Sequence, residues 1–125
     1  MNTIFIGKLG ESHAEKFLIS LGYQIIGKNF HTRFGEIDLI AIDPATPRHL
    51  VFLEVKTRTS DLFGAPQESI SPQKIGKIIK TAIQFKNSST GNLPRIWRID
   101  AIAVKLNKSL QLIDLKHFKN ISYGY

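Results

Sequence analysis

The chain has 125 residues, of which 42% are hydrophobic and 22% charged, a composition typical of one compact globular domain and not of a disordered segment. It contains no cysteine, which excludes a disulfide scaffold and any thiolate metal site. No apolar run approaches the length of a membrane span, and residues 1–5 lack the features of a secretion signal. We therefore expect a cytoplasmic protein with no membrane partner.

Positive charge is concentrated in the C-terminal part of the chain. The formal net charge is +7. Residues 1–70 hold seven Lys or Arg against eight Asp or Glu, whereas residues 71–125 hold ten against two. Basic surfaces attract polyanions because phosphate contacts release counterions. The asymmetry favours a nucleic acid as partner, against the alternative of an ordinary soluble basic protein.

Two amphipathic helices are predicted. The first spans residues 7–21 and ends before Gly22, and its apolar residues recur with the helical spacing of one buried face: Ala14, Phe17, Leu18 and Leu21. The second begins at Ser71-Pro72, where Ser is a good cap and Pro suits the first turn. Its predicted buried face consists of Ile75, Ile78, Ile79 and Ala82, opposite Gln73, Lys77, Lys80 and Gln84.

Strand patterns fill the rest of the chain, separated by loops at residues 44–48 and 59–70. The predicted strands cover residues 23–30, 36–43, 49–58, 96–104 and 110–114, and the tail 115–125 is left unassigned. The order α-β-β-β-α-β-β predicts a single α/β domain over residues 1–125, with a mixed central sheet flanked by helices.

Residues 36–58 predict a hairpin whose register is set by matching apolar residues. If its loop is centred on Thr46, Ile40 faces Phe52 and Leu39 faces Leu53, and a shift by one residue destroys this match. The same register predicts three pairs further from the loop: Ile37 with Val55, Asp38 with Glu54, and Glu36 with Lys56.

Asp38 and Glu54 are the informative pair. Directly opposed residues have Cβ atoms roughly 4.5–5.5 Å apart, and strands that are apolar on both faces are typical of a covered sheet interior, so desolvation adds to the repulsion. Two such carboxylates share a proton or hold a cation, and divalent metals prefer hard oxygen ligands. Lys56 on the same face can stabilise developing negative charge or orient a water. Together these groups suit phosphodiester hydrolysis.

A plainer interpretation stays open for the same residues. Glu36 and Lys56 can form an ordinary cross-strand ion pair, while Asp38 and Glu54 lie without function at a wet sheet end. Two features favour a site. The acids interrupt otherwise apolar strands, and a third acid, Glu11, borders the buried face of the first helix.

Basic residues near the hairpin also have two interpretations, as a solvated face or as contacts to DNA phosphates. They are Arg58, Lys74, Lys77 and Lys80. Lys74 is the best candidate because it lies in the first helical turn, nearest the site.

Other polar residues are placed outside the site. Asp100 in the run Arg98-Ile99-Asp100 is predicted to be a buried partner for an arginine. Trp97 is interpreted as core. The four histidines show no metal-ligand spacing and are interpreted as incidental.

Several runs together resemble a known family. They are Gly10-Glu11, Ala14, Phe17-Leu18, Gly22-Tyr23, Phe34-Gly35-Glu36-Ile37-Asp38-Leu39-Ile40-Ala41, Val51-Phe52-Leu53-Glu54-Val55-Lys56, Arg58, Phe63-Gly64 and Pro66. The chain resembles the YraN-type family of small bacterial proteins, which is similar to archaeal Holliday-junction resolvases. Both resemble the PD-(D/E)XK nucleases. The resemblance extends to about Val104.

This resemblance implies a restriction-endonuclease-like core and a set of site residues. Asp38 and Glu54 are implied to bind Mg²⁺ or Mn²⁺ with the backbone carbonyl of Val55. Glu11 is implied to assist the metal, directly or through water. Lys56 is implied to position or activate the attacking water.

Two functions from different classes follow. The first is a metal-dependent endonuclease acting on DNA, with branched or otherwise structured DNA as the implied substrate. Because cutting two strands takes two sites, the analogy suggests a homodimer. The alternative is a non-catalytic nucleic-acid-binding module on the same scaffold, and a third reading is a structural or adaptor protein that binds neither metal nor DNA.

Overall fold

The computed structural model describes residues 2–59 and 70–122. Its elements follow the predicted order: α1 (Thr3–Ser20), β1 (Gln24–Thr32), β2 (Gly35–Asp43), β3 (His49–Thr59), α2 (Pro72–Ser88), β4 (Ile96–Leu106) and β5 (Leu112–Phe118). The strands form one sheet in the order β1-β2-β3-β4-β5, in which β3 and β4 are parallel and the other neighbours antiparallel. The predicted mixed α/β sheet is therefore confirmed.

The two helices cover opposite faces of the sheet. Strand residues alternate between the faces, so each face forms its own core. The α1 core joins Ala14 and Leu18 to Leu39, Ala41, Val51, Leu53, Ile102 and Val104. The α2 core joins Ile75, Ile78 and Ala82 to Ile40, Ile42, Leu50, Phe52 and Ile99. Neither helix described for residues 2–59 and 70–122 is long and apolar enough to cross a membrane.

Helix α1 begins four residues before its predicted start, because the Asn2 side chain accepts a hydrogen bond from the Ile4 amide over 2.8 Å and caps the helix. Its buried residues are Gly10, Ala14 and Leu18. The prediction that Leu21 is buried is wrong: Leu21 follows the last helical residue and is 52% exposed.

Helix α2 begins as predicted. The Ser71 side chain caps it by accepting a hydrogen bond from the Lys74 amide over 3.1 Å, and Pro72 is the first helical residue. Ile79, predicted as buried, is only partly buried, and Thr81 is fully buried in the same helix. The predicted polar face is exposed along its whole length.

The β2–β3 hairpin has the predicted register over its apolar part, including Leu39 with Leu53 and Ile40 with Phe52. The three predicted pairs beyond it do not form, because the ladder between β2 and β3 ends at Leu39 and Leu53. Further along, β2 pairs only with β1, as far as Gly35, and β3 pairs only with β4, as far as Thr59. The sheet therefore opens into a fork between β2 and β3.

Strand β5 also differs from its prediction at residues 110–114. The Asn107 side chain accepts hydrogen bonds from the Ser109 and Gln111 amides, each over 2.9 Å, and Leu110 has a positive φ of 62°. These residues form a tight turn, so the strand starts at Leu112 and continues into the unassigned tail. Of the predicted loop 59–70, residues 60–69 with Phe63, Gly64 and Pro66 lie outside the described residues.

Candidate active site

The β2–β3 fork, defined by Asp38, Glu54 and Val55, is the centre of the candidate site. The Val55 amide donates a 2.7 Å hydrogen bond to Asp38 Oδ2. Where the strands part, this carboxylate takes the place of a backbone acceptor from β2, which satisfies the amide. The bond also turns Asp38 towards β3, the strand that carries Glu54.

Asp38 holds a proton unusually well. Burial first, and the negative charge of Glu54 second, raise the pKa of Asp38 to about 7, although the hydrogen bond from Val55 lowers it. Glu11 and Glu36 add smaller repulsions. The repulsion predicted between the two strand carboxylates is therefore present, and a positive charge bound between them would relieve it.

Glu54 is balanced by two lysines. Its side chain is 8% exposed, and Oε1 lies 3.7 Å from Lys56 Nζ and 3.6 Å from Lys74 Nζ. Lys74 reaches the fork from the first turn of α2, as its position predicts. The predicted pairing of Lys56 with Glu36 is wrong. The fork separates them, and Glu36 instead lies 3.2 Å from His31 in β1.

The glycine before Glu11 lets α1 approach the sheet closely. A Cβ atom on Gly10 would overlap the side chain of Thr57 in β3. Glu11 follows directly; it is 20% exposed, pairs with Lys8 over 3.6 Å and raises the pKa of Asp38. Within residues 2–59 and 70–122, no three His, Asp or Glu side chains stand close enough together to hold a metal ion, so Glu11 stands outside the carboxylate pair.

The donor set at the fork fits a hard divalent cation. Asp38 and Glu54 supply carboxylate oxygens, the ligands that Mg²⁺ and Mn²⁺ prefer. The raised pKa of Asp38 is the response expected of a buried acid beside a second carboxylate. The Val55 carbonyl stays a prediction as a further ligand.

The residues of this fork lie within a region shared with other proteins. The model of "Uncharacterised protein family UPF0102" matches residues 10–104, from the Gly10-Glu11 pair to the end of the β4 core. The chain belongs to the UPF0102 family. This membership confirms the resemblance drawn from the sequence motifs.

Curated UPF0102 proteins from several bacteria match this chain over most of their length. The relative from Sulfurihydrogenibium sp. (strain YO3AOP1) is 42% identical over 108 residues, covering 85% of this chain and 89% of its own. The relative from Syntrophomonas wolfei subsp. wolfei is 41% identical over 105 residues, covering 83% and 89%. The relative from Desulforamulus reducens is 38% identical over 115 residues, covering 92% and 93%.

The predicted DNA-contacting residues of this UPF0102 protein extend from the fork along α2. Lys74 lies at Glu54, while Lys77 and Lys80 are exposed further along the helix. Lys80 Nζ lies 5.8 Å from the centroid of the Phe34 ring. Arg58 is partly buried in β3, four residues after Glu54. Three of these four cations therefore lie in α2 and one in β3.

A second polar cluster, which sequence analysis largely missed, lies at the other end of β2. The Arg98 guanidinium contacts Asp43 at 3.0 Å, Asp100 at 3.0 Å and His49 at 3.0 Å. His117 lies 2.8 Å from Asp100, which is fully buried. The pairing of Asp100 with an arginine is confirmed, whereas the interpretation of His49 and His117 as incidental is wrong. The alternation of Arg98 and Asp100 in one strand was the available signal.

This cluster is structural. Burial opposes ionisation of Asp100, but hydrogen bonds from His117, Arg98 and the Asn120 amide hold its pKa below the usual value. The pKa of Asp43 is also lowered, because the Ala45 amide and Arg98 outweigh the effect of burial. Asp43 is five residues from Asp38, about 17 Å along a strand, so the cluster is separate from the fork.

Proposed function

We propose that this protein is a metal-dependent nuclease that hydrolyses phosphodiester bonds in DNA, with Mg²⁺ or Mn²⁺ held by Asp38 and Glu54. The observation that carries the proposal is the fork itself. Asp38 and Glu54 come from neighbouring strands, both are partly or fully buried, and Glu54 lies beside two lysine ammonium groups. We expect such a set to bind a cation and a phosphate together.

Each protein group has a defined part in this reaction. The bound cation supplies Lewis-acid activation of the scissile phosphate. Lys56 orients the attacking water, and its ammonium group stabilises the negative charge that develops on the phosphoryl oxygens. Lys74 binds the same phosphate from the α2 side. Glu11 holds water at the edge of the site, consistent with its place outside the carboxylate pair.

DNA is the proposed substrate because cations continue away from the fork. Lys77 and Lys80 extend the charge of Lys74 along α2, and residues 71–125 carry the excess positive charge of the chain. Phosphate contacts of this kind position a duplex without reading its sequence. The family resemblance adds branched DNA as the preferred form and a homodimer as the active species.

A cleavage assay tests this proposal. Labelled linear, flapped and four-way DNA are incubated with Mn²⁺, with Mg²⁺ and with EDTA. We expect cleavage only with metal, and at least 100-fold slower cleavage for Asp38→Asn and Glu54→Gln, by analogy with the loss of other groups that stabilise transition-state charge (~10²–10³). The matched control is Asp114→Asn, an exposed acid in β5, which should cleave normally. Full activity in a pure Asp38→Asn, Glu54→Gln double variant would overturn the assignment.

One observation favours the alternative of a non-catalytic nucleic-acid-binding module. Glu54 already has two ammonium partners, Lys56 and Lys74, at 3.7 and 3.6 Å, so its charge is compensated without a metal. Calorimetry with Mn²⁺ decides between the two. Salt-sensitive DNA binding with no heat of metal binding supports the module, whereas metal binding lost in Glu54→Gln supports the nuclease.

A further inference from the structure

A second feature lies beside α2, away from the carboxylates. The β1–β2 turn and the outer face of α2 enclose a surface groove of about 310 Å³. The groove is lined by Arg33, Phe34, Lys80, Ile83, Gln84 and Asn87. It therefore combines one aromatic ring, two cations and two side-chain amides, which are the groups that contact the face, the phosphate and the edge of a nucleotide.

The turn that carries Phe34 is tied to α2. The Phe34 amide donates to Thr32 Oγ1 over 3.1 Å, the Thr32 hydroxyl reaches Thr81 Oγ1 over 3.5 Å, and the Thr81 hydroxyl donates to the Lys77 carbonyl over 2.8 Å. Thr81 is fully buried. The turn that carries Phe34 is thus held against α2 without a ligand, which reduces the entropy lost on binding.

Both cations in the groove lie over the aromatic ring. Arg33 Cζ is 4.9 Å and Lys80 Nζ is 5.8 Å from the Phe34 centroid. The plainer interpretation is a pair of cation–π contacts that serve the turn alone. Both cationic residues are exposed, however, and long exposed side chains can move aside to pair with phosphates while a base stacks on the ring.

The groove is close to the fork. Phe34 precedes Asp38 by four residues, about 13 Å along extended chain. Lys80 follows Lys74 by six residues, about 9 Å along a helix. Lys77 lies between these two lysines, so exposed or partly exposed cations continue from the fork to the groove.

We propose that the groove formed by Arg33, Phe34 and Lys80 stacks one unpaired base of a single-stranded DNA segment whose backbone runs along Lys77 to the fork. The identity of that strand as the substrate rests on the proposed nuclease function. The stacking itself does not, because it needs neither metal nor cleavage. It would direct the protein to DNA that has an unpaired base a few nucleotides from the scissile phosphate.

Photo-crosslinking in EDTA tests the contact directly. A single-stranded oligonucleotide carrying 5-iododeoxyuridine is irradiated with the protein, and the crosslinked peptide is mapped by mass spectrometry. We expect the crosslink at Phe34, its loss in Phe34→Leu and its return in Phe34→Tyr, which keeps a ring. A crosslink that maps only elsewhere in the chain would overturn the proposal.

Fluorescence anisotropy in EDTA measures the contribution to affinity. We expect Phe34→Leu to weaken single-strand binding about tenfold, within the range of stacking on one aromatic side chain, and to leave blunt-duplex binding unchanged. The control is Phe118→Leu, also partly buried but at the end of β5. Lys80→Ala should reduce the salt dependence of binding more than Lys119→Ala does.

The outcomes separate this inference from the proposed function. If Phe34→Leu binds single strands as tightly as wild type, the groove assignment is wrong, while metal-dependent cleavage that is lost in Asp38→Asn still supports the nuclease. If no cleavage occurs but the Phe34 crosslink forms, the groove assignment holds for a binding module.

Discussion

Asp38 is bonded to the backbone of the strand it faces: the Val55 amide donates to Asp38 Oδ2 over 2.7 Å at the point where β2 and β3 part. The bond has two consequences. It satisfies an amide that has lost its ladder partner, and it keeps a carboxylate beside Glu54 although the two acids repel each other. The fold therefore keeps a second carboxylate near enough to raise the pKa of Asp38, and such shifts are typical of functional sites.

The raised pKa of Asp38 predicts how stability changes with pH. The folded-state pKa is about 7, against an ordinary value of 3.8, so the native protein keeps a proton that the unfolded chain releases. The Asp38 contribution to stability is full below the unfolded pKa and is lost as pH rises to about 7. We expect the metal-free protein to lose on the order of a few kcal/mol between pH 4.5 and 7.5 from this group.

Urea denaturation in EDTA measures this effect. Asp38→Asn removes the titrating group, and its free energy of unfolding should therefore change less over the same pH interval than that of wild type. Asp114→Asn, exposed in β5, should keep the wild-type slope. An identical slope in Asp38→Asn would show that Asp38 is ionised throughout.

Metal binding should oppose this loss of stability at higher pH. A cation bound to the native state alone stabilises it by about 2.7 kcal/mol when its free concentration is 100 times its Kd. Because the metal competes with the proton on Asp38, Mn²⁺ should raise the Tm more at pH 8 than at pH 6. Thermal unfolding with and without Mn²⁺ measures the shift, and Glu54→Gln should abolish it. A shift of equal size in Glu54→Gln would place the bound metal elsewhere.

The hairpin register shows which strand pairs a local sequence pattern can predict. The matching of apolar residues about the loop predicts the pairs from Leu39–Leu53 towards the loop, and these pairs form. The same pattern wrongly extends the ladder to Asp38 and Glu54. Where the strands separate depends on a side-chain bond to Val55 and on repulsion between acids, and neither leaves a periodic signal.

The sequence predicts the residue types of the candidate site better than it predicts their ion-pair partners. Asp38 reaches β3 through the Val55 amide and not as the predicted cross-strand partner of Glu54, whereas Lys74 lies beside Glu54 from the first turn of α2, as its helix position predicts. The partner of Lys56 was predicted wrongly, because the opening of the fork moves Glu36 out of its reach and towards His31. Apart from the pairing of Asp100 with an arginine, the contacts of the Arg98 cluster were missed because they join four strands and the loop after β5. Sequence spacing does not encode such contacts.

The close approach of Gly10 to β3 can be tested by substitution. A Cβ atom there would overlap Thr57, so Gly10→Ala should push the helix away from β3 and displace Glu11. Overpacking of this kind costs about 1–3 kcal/mol. Urea denaturation measures the loss, and metal-dependent cleavage should fall with it if Glu11 assists the site.

Gly7→Ala is the matched control on the same helix. A Cβ atom at Gly7 would meet nothing within 4 Å, and Ala is the better helix former, so this variant should gain about 0.5–1 kcal/mol. Equal losses in both variants would mean that the contact with Thr57 is not the cause.

Substitution of Arg98 should lower the stability of the fold without affecting the candidate active site. Arg98→Met leaves the carboxylates of Asp43 and Asp100 buried without their shared cation, and breaking such a pair costs about 3–5 kcal/mol. The lowered pKa values of both acids contribute stability that is present above the unfolded pKa and is lost as pH falls through the folded values. The free energy of unfolding should therefore fall towards acid pH in wild type, and it should fall less in Arg98→Met. Urea denaturation at pH 7 and pH 3.5 checks both effects, with Arg95→Met in the exposed segment before β4 as the control.

Because the cluster lies about 17 Å from Asp38 along β2, folded Arg98→Met should bind Mn²⁺ with the wild-type Kd. A changed Kd would mean that the two ends of the strand are coupled.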